Sequence, residues 1–174
     1  ERPLCLPAQH LYSHFRGSRY RAAASIPMRM LITRREEFSA SHACYNPELS
    51  EQENRSVYGE GANPRGHGHN YVLEVTMDGS PDPVTGMVFD LKRLKEVIRR
   101  EVIEPFDHRF LNHEVPPFDR LVPTPENIAI EVWRRLAPSV RSATTRLHCV
   151  RLYETEDLYV EYFGDADAPV NPAV

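Results

Sequence analysis

The spacing of apolar and polar residues along this chain predicts four strands and two helices. Two early segments alternate apolar and polar side chains with the period of two that is typical of half-buried strands. Two later segments place apolar residues three and four apart, behind Asp90 and Thr124 as helix caps. The predicted strands are 30–41, 70–78, 146–154 and 158–163, and the predicted helices are 91–104, ending at Pro105, and 125–137, stopped by Pro138.

This order, β-β-α-α-β-β, indicates an α+β fold. Each helix has a single apolar stripe, so one four-stranded antiparallel sheet with both helices on one face would bury both stripes. The other sheet face and the sheet edges would still need partners, which predicts an oligomer. Residues 45–65 form a polar excursion with one predicted helical turn around 47–56, and a connection this long in a compact domain is usually functional.

Composition narrows the class of protein. The chain has 174 residues, 41% of them hydrophobic and 26% charged, which is typical of one globular domain. A net charge of -4 does not suggest a nucleic-acid or membrane-surface partner, and no apolar run reaches the ~20 residues of a spanning helix. Three cysteines do not form a disulfide framework, so we expect a reducing compartment, the cytoplasm.

The first 29 residues differ from the rest because they hold five arginines and one acid. A basic leader of this kind fits an organellar transit peptide, or an extension that is not native to the domain. We favour the second interpretation, with a disordered segment, because no amphipathic face is evident. The folded domain is expected over 30–163, followed by a tail over 164–174.

Histidines supply the clearest chemistry in the sequence. His67 and His69 flank Gly68 at the start of the second strand, and side chains two apart on a strand share a face. His42 ends the first strand. Three neutral imidazoles with an open fourth position are the ligand set of a catalytic zinc ion. The competing interpretation is exposed or buried histidines without a metal.

Two further positions carry candidate chemistry. Asp107 and His108 are adjacent, and a carboxylate beside an imidazole can tune a general acid or base, although from these two residues alone a surface ion pair is the favoured explanation. Glu154 shares a strand face with apolar residues, where a carboxylate needs a partner such as paired N–H donors. A glutamate at the rim of the sheet is the alternative.

Taken together, these segments resemble the 6-pyruvoyltetrahydropterin synthase family, which includes the 6-carboxytetrahydropterin synthases. The resemblance covers most of the chain from Phe38 to Phe163. Its motifs occur in the family's order, and the one around His-Gly-His is the most specific. They are Phe38–His42, Asn63–Tyr71, Asp82–Val88, Leu91-Lys92, Asp107-His108, Pro123–Asn127 and Tyr153–Thr155.

The resemblance implies the tunnelling fold, in which sheets of several subunits join into a barrel and two trimers form a homohexamer. It implies loss of triphosphate from 7,8-dihydroneopterin triphosphate by a zinc enzyme, with magnesium accompanying the triphosphate. The implied roles are zinc ligands for His42, His67 and His69, pterin binding for Glu154 with Thr124 and Glu126 nearby, and proton transfer for Asp107 and His108.

One position departs from the family pattern. The family's catalytic cysteine lies six residues before the first histidine of the His-Gly-His motif, and this chain has Gly61 there. Glu60 and Cys44 are the candidates for the missing base. Three hypotheses stay open: a triphosphate-releasing synthase with a relocated base, a relative that cleaves the side chain to give 6-hydroxymethyl-dihydropterin or 6-carboxytetrahydropterin, and a zinc- and pterin-binding protein without turnover.

Overall fold

A computed structural model describes residues 29–164, in which five strands form one mixed sheet in the order β3-β1-β2-β4-β5. The leader and tail predicted from the sequence lie outside the described residues, except for Arg29 and Gly164. The strands are β1 (Met30–His42), β2 (His67–Gly79), β3 (Arg109–Phe110), β4 (Thr145–Tyr153) and β5 (Tyr159–Tyr162). The helices are α1 (Glu51–Tyr58), α2 (Leu91–Ile98), α3 (Glu104–Phe106), α4 (Leu111–Glu114) and α5 (Pro125–Val140).

The core lies between the sheet and helices α2 and α5. From Tyr71 to Met77, alternate residues of β2 point toward these helices and are fully buried, while their neighbours on the strand face the other side of the sheet. Full burial of one such side chain stabilises the fold by about 1.5–3 kcal/mol. The fully buried residues at this interface include Leu73, Val75 and Met77 of β2, Leu94 and Ile98 of α2, and Ile128, Val132 and Leu136 of α5.

The sheet has one strand more than the sequence predicts, and it is not purely antiparallel. The extra strand, β3, runs parallel to the end of β1, with Ala40 opposite Arg109. It forms because the chain after Asp107 passes beside β1, where the His108 N–H donates to the Ser39 carbonyl at 2.6 Å. Two residues are too few to show an alternation of apolar and polar side chains, so the sequence pattern did not predict this strand.

Both predicted helix ends at proline need correction. Helix α5 continues through Pro138 to Val140. Proline has no N–H, so the hydrogen bond from residue 138 to the carbonyl of Arg134, four residues earlier, is missing. Arg134 is exposed, and water can bind its carbonyl instead. Pro105 lies inside α3, behind a π-helical stretch, Arg99–Ile103, that follows α2. Within residues 29–164 no helix has the length and apolar character needed to cross a membrane.

The polar excursion folds back onto the end of β1. Its single helix, α1, is longer than the predicted turn and begins with a capping box between Ser50 and Glu53. A 3-10 turn, Gly59–Ala62, then leads the chain toward β2. The Cys44 N–H donates to the Gly61 carbonyl at 2.8 Å, so the two ends of the excursion meet beside the start of β2.

Candidate metal centre

Three histidines from the ends of β1 and β2 converge on one point. His42 pairs with His67 across the two strands, and His69 lies two residues further along β2 on the same face. One ring nitrogen from each histidine lies within 4.8 Å of the other two. The ring centroids are 4.5 Å apart for His42 and His67, and 4.9 Å apart for His67 and His69. The structure therefore brings together the three predicted metal ligands.

The start of α5 fixes the orientation of His42. Its Nδ1 lies 2.6 Å from the carbonyl oxygen of Pro123, the residue before the Thr124 cap. A carbonyl only accepts, so Nδ1 carries the proton and Nε2 presents a lone pair to the other histidines. Burial is the main reason that the pKa of His42 is lowered to about 4; the charges of His67 and His69 act in the same direction, and the Pro123 bond opposes them. His42 is therefore neutral at pH 7.

The donor atoms of this cluster fit a metal ion. Nε2 of His42 and Nε2 of His69 are both buried, and neither has a hydrogen-bond partner within residues 29–164. A buried polar group without a partner costs about 1–3 kcal/mol. A zinc ion would use these lone pairs, since neutral imidazole is among its preferred ligands, and three such ligands leave a fourth position open.

Glu154 lies against the same nitrogen atoms. It directly follows β4, and its Oε1 is 3.4 Å from His42 Nε2 and 3.6 Å from His69 Nε2. Its N–H donates to the Leu158 carbonyl at 3.0 Å, which holds the turn before β5. Burial, followed by the charge of Glu126, raises the pKa of the Glu154 carboxyl. A carboxylate so placed suits a ligand with N–H donors or a positive charge.

The other two residues predicted to bind substrate stand at the start of α5. Thr124 is the helix N-cap, and its Oγ1 accepts from the Asn127 N–H at 3.4 Å. Glu126 is exposed in the first turn, yet it lies near enough for its charge to raise the pKa values of Glu154 and Cys44. Glu126 therefore lies near Glu154 and Cys44, and Thr124 directly follows Pro123, whose carbonyl binds His42.

Asp107 and His108 are paired in the structure, a point that the sequence left open. His108 Nδ1 is 2.9 Å from Asp107 Oδ2, and Asp107 Oδ1 accepts from the Ser39 N–H at 2.8 Å. The Ser39 bond is the main reason that the pKa of Asp107 is lowered. His108 has a φ of 57°, and its side chain is 81% exposed. A shallow depression of about 390 Å³ is lined by both His108 and His69.

The two candidates for the missing base have different positions. Glu60 is exposed on the 3-10 turn, and its side chain makes no hydrogen bond or ion pair within the described residues. Cys44 is partly buried beside the histidines. Burial, then the charges of Glu154 and Glu126, raises the pKa of its thiol to about 11.

Sequence reasoning missed two residues of this site. Tyr71 continues the series His67, His69 on the same face of β2, and that spacing of two could have identified it. Its hydroxyl is buried and has no hydrogen-bond partner. Pro123 orients His42 from 81 residues further along the chain, a contact that no local pattern predicts.

Comparison with known proteins gives consistent findings. A family model described as 6-pyruvoyl tetrahydropterin synthase matches residues 31–165. The chain is 42% identical over 134 residues to a 6-pyruvoyl tetrahydrobiopterin synthase of Poecilia reticulata, covering 77% of this chain and 90% of that protein. It is 41% identical to the Homo sapiens protein of the same name, with 77% and 91% covered.

A solved structure of Caenorhabditis elegans 6-pyruvoyl tetrahydropterin synthase has the same fold. The TM-score is 0.75 at 35% sequence identity, and the match covers 79% of this chain and 97% of the other. The prediction of an α+β tunnelling fold is therefore confirmed, with five strands in place of four.

Proposed function

This chain belongs to the 6-pyruvoyl tetrahydropterin synthase family, and we propose that it is a zinc-dependent enzyme that releases triphosphate from 7,8-dihydroneopterin triphosphate. The relatives that it matches are named synthases, which supports an enzyme. One observation carries the proposal: buried nitrogens of His42 and His69 without hydrogen-bond partners face the largely buried carboxylate of Glu154. Such a set suits a cation and a polar ligand together.

His42, His67 and His69 would hold the metal. When bound, zinc supplies a Lewis acid that lowers the pKa of a hydroxyl or water in its fourth position. The protein's own contribution is orientation, because the Pro123 carbonyl keeps His42 in the tautomer whose Nε2 is free to bind. Magnesium would accompany the triphosphate, and we assign no residue to it.

Glu154 would anchor the pterin ring. The 2-amino group and the neighbouring ring N–H of a pterin form a pair of donors, and a carboxylate can accept both. Thr124 and Glu126 lie at the start of α5, and we propose that they line the ring's binding site. Ring binding would also satisfy the charge that Glu154 carries in a poorly hydrated place.

The Asp107–His108 pair would hold and move a proton. Asp107 is tied to β1 through the Ser39 N–H, so it can orient the imidazole of His108. The exposed His108 ring lies over the depression that also reaches His69, which leaves it accessible to substrate or to a neighbouring subunit. A positioned acid or base of this kind typically contributes a factor of about 10²–10⁴ in rate.

Gly61 keeps a second function open. With no side chain where the family has its catalytic cysteine, the base must come from elsewhere, and Glu60 and Cys44 are the candidates. Without a working base, the same site would bind zinc and pterin without turnover. A base in another place could instead favour cleavage of the side chain to 6-hydroxymethyl-dihydropterin or 6-carboxytetrahydropterin.

A product assay tests the proposal. Zinc-loaded protein would be incubated with 7,8-dihydroneopterin triphosphate and magnesium, and the pterins and phosphates identified by mass spectrometry. We expect free triphosphate and a 6-pyruvoyl pterin. A hydroxymethyl or carboxy pterin would favour the side-chain-cleaving function, and substrate binding without any product would leave only the binding role.

Two variants connect the assay to the site. His42→Ala should lose zinc as measured by elemental analysis, and full zinc content in this variant would refute the metal assignment. Glu154→Gln keeps the shape but removes the charge, so substrate binding should weaken by about 1.5–3 kcal/mol, the usual worth of a charge-assisted hydrogen bond. Its zinc content should stay at the native level if Glu154 binds the pterin and not the metal.

A further inference from the structure

Cys44 occupies the place that Gly61 leaves free beside the histidines. A side chain at residue 61 would begin 3.9 Å from the Cys44 Sγ and 3.8 Å from Cε1 of His67. The Cβ atoms of residues 44 and 61 would be 3.6 Å apart. The two positions therefore open onto the same space. The sulfur of this chain enters it from the segment that follows β1 and not from the turn that precedes β2.

The backbone holds Cys44 in this position from two sides. Its N–H donates to the Gly61 carbonyl at 2.8 Å. The preceding residue, Ala43, is buried and exchanges two hydrogen bonds with the Asn112 side chain, at 2.8 and 3.0 Å. The thiol is thus carried by a fixed segment directly after the metal ligand His42, and the sulfur is in no disulfide.

Neighbouring groups point to a ligand in the same space. The Tyr71 side chain is fully buried, and its hydroxyl has no hydrogen-bond partner. Its ring packs beside the histidines, with ring centroids 6.2 Å from His42 and 5.5 Å from His69. Buried hydroxyls are almost always bonded to protein, water or ligand. A polar molecule bound between these groups would meet the thiol as well.

We propose that Cys44 is the catalytic thiol of this chain, relocated from position 61 and in direct contact with the side chain of the bound pterin. The thiol would first lose its own proton to solvent; the thiolate would then accept one proton from a side-chain carbon of the substrate and later return it to the substrate, with no covalent bond to the protein. Gly61 has no side chain that competes for the space. This inference rests on the proposed function and assigns the base that it leaves open.

The geometry favours Cys44 over the other candidates for its role. Glu60 is exposed on the 3-10 turn, and its side chain makes no hydrogen bond or ion pair within residues 29–164. Cys44 is also absent from the group of mutually close metal-ligand atoms, which contains only the three histidines. A free thiol beside the metal site, and not a fourth metal ligand, is what this arrangement provides.

Exchange of the two positions tests the proposal. Cys44→Ala should lower kcat by a factor of about 100 or more, the usual range for a lost acid or base, with native zinc content. Adding Gly61→Cys to Cys44→Ala should restore at least tenfold of the lost rate. Cys149→Ala, the control at the other described cysteine, should stay near the native rate. A native rate in Cys44→Ala, or loss of activity in Glu60→Gln alone, would overturn the assignment.

Two readouts do not depend on turnover. Iodoacetamide should modify Cys44 at least tenfold more slowly when saturating 7,8-dihydroneopterin is present, as measured by peptide mass spectrometry, and an unchanged rate would overturn the proposal. Cobalt(II)-substituted protein should lack a thiolate-to-metal charge-transfer band. A band that is present in the native protein and absent in Cys44→Ala would make Cys44 a metal ligand and overturn the proposal. If the native protein forms no product, the proposed function fails while these readouts still decide on Cys44.

Discussion

Asn54 organises the polar excursion that follows Cys44 and contains Gly61. Its amide nitrogen donates to the carbonyls of Asn46, Leu49 and Ser50 at 2.9–3.1 Å. Its Oδ1 accepts from the Asn46 N–H at 2.8 Å, and the residue is only 1% exposed. One buried side chain thus satisfies four backbone groups of the loop that precedes α1.

Asn54→Ala should therefore lower the free energy of unfolding by about 2–3 kcal/mol, because it removes four part-buried hydrogen bonds that hold the loop together. Urea denaturation of the metal-free protein measures the change. Gln52→Ala, at an exposed position of the same helix, should shift stability by no more than about 0.5 kcal/mol. Equal urea midpoints for the two variants would show that the Asn54 bonds carry no net stability.

At the residue scale, the sequence predicted what a strand's geometry determines. His67 and His69 meet because side chains two apart share a face, and His42 joins them because it ends the neighbouring strand. The partner of His42, the Pro123 carbonyl, depends on where α5 begins in space and could not be predicted. The position of Cys44 next to Gly61 likewise depends on how the excursion closes.

Gly66 forms the tight turn between the excursion and β2. It has a φ of +70°, and its N–H donates to the Asn63 carbonyl at 2.8 Å. A Cβ there would lie 2.6 Å from the Phe110 ring and 2.8 Å from the His42 carbonyl oxygen. The element therefore starts correctly only if residue 66 has no side chain.

Gly66→Ala should weaken zinc binding at least tenfold and also destabilise the protein, since the new methyl group must displace the backbone of His42 from its place beside His67. Gly86→Ala is the matched control, with a φ of +71° and nothing within 4 Å of the added carbon. This variant should lower the free energy of unfolding by only about 1–2 kcal/mol, the usual cost of a non-glycine residue in the left-handed region, and leave zinc affinity unchanged. Competition with a chromophoric chelator measures the affinity, and equal zinc affinity in the two variants would contradict the argument.

Helices α2 and α5 were predictable because their caps and apolar stripes are local features. The β4 strand shows where such prediction ends. The pairing register of β4 with β2 shifts between Thr76 and Met77. Cys149 pairs with Thr76, and Leu147 pairs with Met77. Alternation alone would place Cys149 and Leu147 on one face. The bulge arises from pairing with β2, which only the assembled sheet determines.

In the whole molecule the described helices α2 and α5 pack on one face of the sheet and leave the other face without cover. The outer face carries charges that are paired with one another: Arg151 binds Glu161 at 2.7 Å and Glu74 at 3.2 Å. Two aromatic side chains at this edge are exposed, Tyr159 of β5 at 47% and Phe163 directly after β5 at 56%. An edge strand of this kind is a template for pairing with another chain. The predicted homohexamer would use these surfaces, and it stays a prediction.

Tyr159→Lys tests this at the scale of the assembly. Tyr159 lies on the edge strand β5, with its ring against Arg151 on the outer face. A lysine there adds a charge that must be desolvated when two sheets join, which is how natural edge strands avoid pairing. In sedimentation velocity we expect the native protein to be an oligomer and the variant to shift toward smaller species. Val84→Lys, in a turn remote from the sheet and 70% exposed, should sediment like the native protein. A native monomer at micromolar concentration, or an unchanged profile for Tyr159→Lys, would mean that β5 is a free edge and that the candidate site works within one chain.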